Sequence, residues 1–144
     1  MRDESMATRR ELQQLACMRL DEAEALYGAG LYDGCAYLCG YVVELALKAA
    51  ICATLGVGEY PETGSRLRTA LKTHDFDDLK LFAGMEEAFM ANPVLLANWS
   101  VASKWRPETR YEPKGAYDQL AARGILEAVS GYPDGVLACI SSRW

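Results

Sequence analysis

The stretch Leu31–Gly56, LYDGCAYLCGYVVELALKAAICATLG, decides the fold. From Gly34 to Leu55 its only charged residues are Glu44 and Lys48. About six turns of nearly all-round apolar helix describe a helix enclosed by other helices. Its two charges stand four apart with the acid first, the favourable order for an i,i+4 pair. The same run is long enough to span a bilayer. On insertion scales, however, Glu44 and Lys48 near its middle would each cost about 2.5–3.5 kcal/mol. No basic flank sets an orientation, and the rest of the chain supplies amphipathic helices to cover it. The reading is a core helix, with no membrane and a cytoplasmic location.

Outward from this stretch the chain is helical throughout. Residues 1–7 read as a flexible N-terminal lead and 8–144 as one helical domain. Thr8 and Glu11 have capping-box spacing, and the apolar positions from Leu12 to Tyr27 recur at helical period. Gly28-Ala-Gly30 ends that helix, and Asp33 is expected to cap the central one, 34–55, which stops at Gly56. So short a connection predicts an antiparallel pair. A loop follows from Val57 to Ser65, then a short helix or continued loop over Arg66–Lys72. Thr73 or Asp75 caps a helix carrying Phe76, Leu79, Leu81 and Phe82. Asn92-Pro93 breaks the next segment, which resumes to about Trp105. Arg106–Pro113 is a proline-bracketed loop, Ala116–Val129 an amphipathic helix, Gly131–Gly135 a turn and Val136–Trp144 a terminal helix. No period-2 strand appears. The fold class is all-α: an antiparallel bundle of four main helices plus one or two short ones.

The 144 residues suffice for one domain that buries roughly two thirds of its unfolded surface. A net charge of −5 argues against a broad basic surface, so duplex DNA is not an expected partner. A local patch for a nucleotide or an RNA end is compatible with it. Five cysteines, an odd number set in apolar runs, read as free buried thiols. With one histidine and no CxxC, no metal site or cofactor is expected.

Gly30-Leu-Tyr-Asp33, Ala36-Tyr-Leu38, Gly40-Tyr-Val-Val-Glu-Leu-Ala-Leu-Lys48, Thr73-His74 with Asp75 and Leu79, Trp105, and Arg110-Tyr111 occur in an order that resembles the HEPN domain, the nucleotide-binding helical module of higher eukaryotes and prokaryotes. The resemblance covers most of residues 12–140. It implies a four-helix bundle, often dimeric, associated with nucleotides or RNA and frequently accompanied by a minimal nucleotidyltransferase on a separate chain. Ribonuclease members carry an Arg-x4–6-His motif. Arg68 and His74 satisfy its spacing, but they lie before the middle of the chain, whereas that motif belongs near the last long helix.

The chemistry-bearing residues each carry two readings. Glu44 and Lys48 either line a nucleotide pocket, with the lysine on phosphate, or form an interhelical pair that sets register. His74 either acts as a general base with Arg68 or Arg110, or is a first-turn residue bonded across a helix entrance. Lys104, Trp105, Arg106, Arg110 and Tyr111 either hold phosphate and stack a base, or pack on the bundle with the arginines on Glu108 and Glu112. Asp75, Asp77 and Asp78 read as capping and dipole residues. Tyr37, Tyr41, Trp99 and Trp144 are candidates for an apolar patch that pairs subunits.

The expectation is a noncatalytic, homodimeric module that binds a nucleotide, an RNA end or a separate nucleotidyltransferase chain, a context that includes toxin–antitoxin pairs. The rivals are a metal-independent ribonuclease and a purely structural oligomerisation bundle.

Overall fold

The computed structural model describes residues 7–61 and 70–144. The helices are α1 (Arg9–Gly28), α2 (Tyr32–Leu55), α3 (Phe76–Phe82), α4 (Glu86–Met90), α5 (Pro93–Ala102), α6 (Gln119–Ser130) and α7 (Val136–Ser141). A 3-10 turn, Pro107–Tyr111, lies between α5 and α6. The class is all-α, with three short α-helices among the described residues where the sequence suggested one or two. Arg68 and most of the short Arg66–Lys72 helix lie outside the described residues.

The first two helices form a hairpin along most of their length. Thr8 caps α1 as its spacing requires, its hydroxyl accepting from the Glu11 amide at 3.1 Å. At the other end of α2, Gly56 takes φ 66°, a left-handed conformation that lets the Val57 amide reach back to Cys52 O at 2.9 Å. Helix α2 then receives α3, α5, α6 and α7 on its remaining sides. Fourteen of its 24 residues are buried, Glu44 and Lys48 among them, so a helix long and apolar enough to cross a membrane is here sheathed by its own chain.

Boundaries moved where side chains found partners that linear reading could not show. Asp33 does not cap α2, whose first residue is Tyr32 and whose cap, Leu31, makes no side-chain bond. The Asp33 carboxylate instead accepts from the amides of Gly115 at 2.7 Å and Tyr117 at 2.9 Å. This ties down residues before Asp118, which caps α6 through the Ala121 amide at 2.8 Å, so α6 starts later than Ala116. Helix α5 stops at Ala102 rather than near Trp105 because Trp105 turns into the core and Arg106 folds over the helix end, donating to Ser103 O and Trp105 O. Of the two candidates Thr73 and Asp75, Asp75 caps α3. At the expected break before Pro93, Asn92 caps α5, a role the sequence reading did not assign.

The core gathers Leu47, Ile51, Phe76, Leu79, Phe89, Trp99 and Ile140 around α2. Trp99 is buried beside Phe89, ring centroids 4.7 Å apart. Trp144 folds back so that its indole N–H donates to Ala46 O at 3.1 Å. Trp99 is therefore not part of an exposed subunit-pairing patch with Tyr37 and Tyr41, and Trp144 is half-buried. Cys35, Cys39 and Cys52 are buried free thiols, whereas Cys139 is half-buried and Cys17 exposed.

Candidate functional site: a polar stripe along the central helix

Five polar residues of α2, Asp33, Tyr37, Tyr41, Glu44 and Lys48, follow one another at steps of four, four, three and four. That spacing keeps them on one face of a 3.6-residue helix. The fold lays a different element over each: the segment before α6 on Asp33, the 3-10 turn and Trp105 near the tyrosines, the entrance to α3 on Glu44, and Tyr60 on Lys48.

Trp105 joins these layers. Its indole N–H donates to Tyr37 O at 3.1 Å. Its ring stacks on Phe76 at 5.4 Å and 11° and meets Tyr41 edge-on at 5.0 Å. The other contact is Gly40, where an added Cβ would lie 2.0–2.2 Å from indole carbons. Only glycine leaves space for the ring to rest on the helix. Trp105 is thereby 7% exposed, whereas Tyr111, the other aromatic candidate, is 75% exposed.

At the N-terminal end of the stripe, Tyr37 and Tyr41 share a hydroxyl–hydroxyl hydrogen bond of 3.2 Å. That bond, with burial and the nearby Glu44 charge, pushes Tyr41 up to about 12. Asp33 moves the other way, held below the usual carboxylate range by its bonds to the Gly115 and Tyr117 amides. Arg110 stands beside this pair. Its guanidinium lies 4.8 Å from the Tyr111 ring centroid, and the Tyr111 and Tyr37 hydroxyls raise its pKa further. Arg110, Thr109, Glu112, Tyr117, Asp33 and Tyr37 line a cleft of about 210 Å3. Both Asp33 oxygens are engaged by backbone amides, and the other charged side chains lining the cleft are Arg110, which faces the Tyr111 and Tyr37 hydroxyls, and Glu112.

At the C-terminal end, Glu44 does not pair with Lys48. His74 Nδ1 bonds the Glu44 carboxylate, and since a carboxylate only accepts, Nδ1 carries the proton. Glu44 is 5% exposed at its side chain and His74 56%, so the imidazole stoppers a buried acid and turns its other face outward. The Lys48 ammonium lies 5.0 Å from the Tyr60 ring centroid.

The proposed five-residue ligand cluster is therefore divided. Trp105 is in the core, Arg106 is folded onto backbone carbonyls rather than Glu108 or Glu112, and Lys104 is exposed. Arg110 and Tyr111 remain together at the surface. Among the described residues, no group of three or more His, Cys, Asp and Glu side chains converges on a metal position. Linear reading missed the Asp33, Tyr37 and Tyr41 contributions, although their four-residue spacing in an otherwise apolar helix was a usable signal. The fit of Gly40 to Trp105, 65 positions on, left no local mark.

The described residues form an all-α bundle, the architecture of a HEPN-type helical module. A family model described as HEPN domain matches residues 10–131, and the chain belongs to that family. No curated protein and no solved structure matches it.

Proposed function

We propose that this HEPN chain is a noncatalytic binding module for a nucleotide or an RNA end, with Arg110 and Tyr111 as its principal contacts. The observation that carries the reading is the exposed Arg110 guanidinium laid against a 75% exposed tyrosine ring beside a polar cleft. A guanidinium has five N–H donors, more than the Tyr111 and Tyr37 hydroxyls occupy, and its fork matches a phosphate, while an exposed ring suits a stacked base. Thr109 and Tyr117 supply further polar groups along the cleft. The working assembly is a cytoplasmic homodimer that meets a separate nucleotidyltransferase chain, with a toxin–antitoxin pair as the biological setting. Sedimentation and co-purification test those parts.

Calorimetric titration with nucleoside 5′-monophosphates and short 5′-phosphorylated RNA tests the site. Arg110→Ala should abolish binding, Arg110→Lys should retain part of it, and Tyr111→Ala should weaken base-bearing ligands more than inorganic phosphate. Absence of any saturable binding by the unaltered chain refutes the proposal and leaves the oligomerisation bundle.

One observation favours a second reading, a metal-independent ribonuclease. The buried Glu44 carboxylate fixes His74 with Nδ1 protonated and the second ring nitrogen free to accept a proton, an arrangement suited to a general base. RNA cleavage in chelator, lost in His74→Ala and impaired in Glu44→Gln, would replace the noncatalytic reading.

A further inference from the structure

A second cavity, of about 250 Å3, is lined by Trp105 and is built differently from the Arg110 cleft. Its floor is Ala36, Cys39, Gly40 and Ala102, all buried, and its walls include Val129 and Ile125 of α6. None of these side chains carries a charge, and the single polar atom among them is the Cys39 thiol. Its bond with Cys35 and then burial raise the pKa of that thiol and keep it protonated. Cys39 therefore presents a neutral, polarizable wall.

The rim supplies the contrast. Lys104 stands there exposed, and among the described residues no acidic group pairs with its ammonium. Tyr117, half-buried, forms the divide between this cavity and the Arg110 cleft, lining both. Its backbone amide is fixed by Asp33 at 2.9 Å, so the divide is anchored to α2.

An apolar cavity of about 150 Å3 already stays dry and takes a benzene-sized guest. By proportion this one holds roughly ten carbon-sized atoms. Filling it removes apolar wall from water, while a negative end at the rim meets the Lys104 ammonium without crossing any acidic group.

We propose that the cavity between α2, α5 and α6 is a binding site for a small amphipathic anion, a medium-chain carboxylate with its tail on Cys39 and Gly40 and its carboxylate at Lys104. The site is separate from the Arg110 cleft and does not depend on nucleotide binding there. Tail burial supplies most of the affinity and Lys104 selects the charged end.

The test is titration of the full chain with octanoate and, as the uncharged match, octanol, followed by calorimetry and thermal shift. Octanoate should bind saturably and raise Tm. Ala121→Trp, an exposed rim position on α6, should remove that shift without altering the circular dichroism of the free protein. Val101→Trp on the opposite rim repeats the test where the first variant folds poorly. Lys104→Glu should weaken octanoate about three- to fivefold or more, the scale of one exposed charge pair, and leave octanol unchanged. Arg110→Ala should leave octanoate binding intact. The proposal is overturned by absence of saturable octanoate binding, by binding that survives both tryptophan variants, by equal loss of octanoate and octanol in Lys104→Glu, or by loss in Arg110→Ala.

Discussion

Replacing Gly40 by alanine adds one methyl group at the seam that holds Trp105 on α2. The methyl carbon would lie 2.0–2.2 Å from three indole carbons, a distance that neither ring nor helix can absorb by small shifts. The indole is held by its bond to Tyr37 O and by the stack on Phe76, so relief requires expelling the ring. Loss of a buried tryptophan's packing costs about 3–5 kcal/mol, and alanine returns about 1 kcal/mol through its better helix propensity. The net expectation is a destabilisation of about 2–4 kcal/mol, a fall in Tm of roughly 10 °C for a domain of this size. Urea denaturation followed by circular dichroism measures it. The matching control is Gly124→Ala in α6, where an added Cβ meets nothing within 4 Å; it should stabilise by about 0.5–1 kcal/mol. In a Trp105→Ala background the steric conflict is gone, so Gly40→Ala should there be neutral or stabilising. A Gly40→Ala protein as stable as the parent, or an equal loss in both backgrounds, refutes the proposed Trp105 seat. Because the 3-10 turn carrying Arg110 follows directly from Trp105, the same substitution should also weaken nucleotide binding.

Other outcomes follow from the stripe. Asp33 is depressed in the folded chain by the Gly115 and Tyr117 amides. Its stabilisation is therefore present above the ordinary value of about 3.9 and is lost as pH falls through the lower folded value; Asp33→Asn should flatten that acid limb in pH-dependent unfolding. Tyr37→Phe removes the hydroxyl partner of Tyr41, which should then ionise below its present value of about 12 in an ultraviolet tyrosinate titration. His74→Ala strips a buried carboxylate of its partner and should destabilise by about 1–3 kcal/mol. The half-exposed imidazole places the value at the low end, and Glu44→Gln with His74 retained should cost less. Trp144→Phe loses the donor to Ala46 O and should cost about 1 kcal/mol by urea melt.

Much of the fold was legible because it rests on local signals. The apolar run over α2, the Thr8 and Asp75 caps, the break at Asn92-Pro93, and the glycine at position 56 each act within a few residues. Their physical causes, desolvation and backbone hydrogen bonding at helix ends, operate whatever lies elsewhere in the chain. Family membership was legible for a related reason: the motif on α2 and its followers keep their order along the chain. The pairings across the bundle were not. Glu44 has Lys48 four residues away and yet bonds His74, because burial makes the nearest accessible donor from another element decisive. Asp33 has the composition of a cap and serves as an anchor for the chain before α6. Lys104, Trp105 and Arg106 are consecutive but point to a cavity rim, the core and a helix end, since successive residues leaving a helix face different directions. The residues themselves specified a sheathed apolar helix carrying Glu44 and Lys48; its full polar stripe was recognised only in the folded chain. Which groups cover that stripe, and so which charges remain available to a ligand, depended on close packing between positions as distant as Gly40 and Trp105.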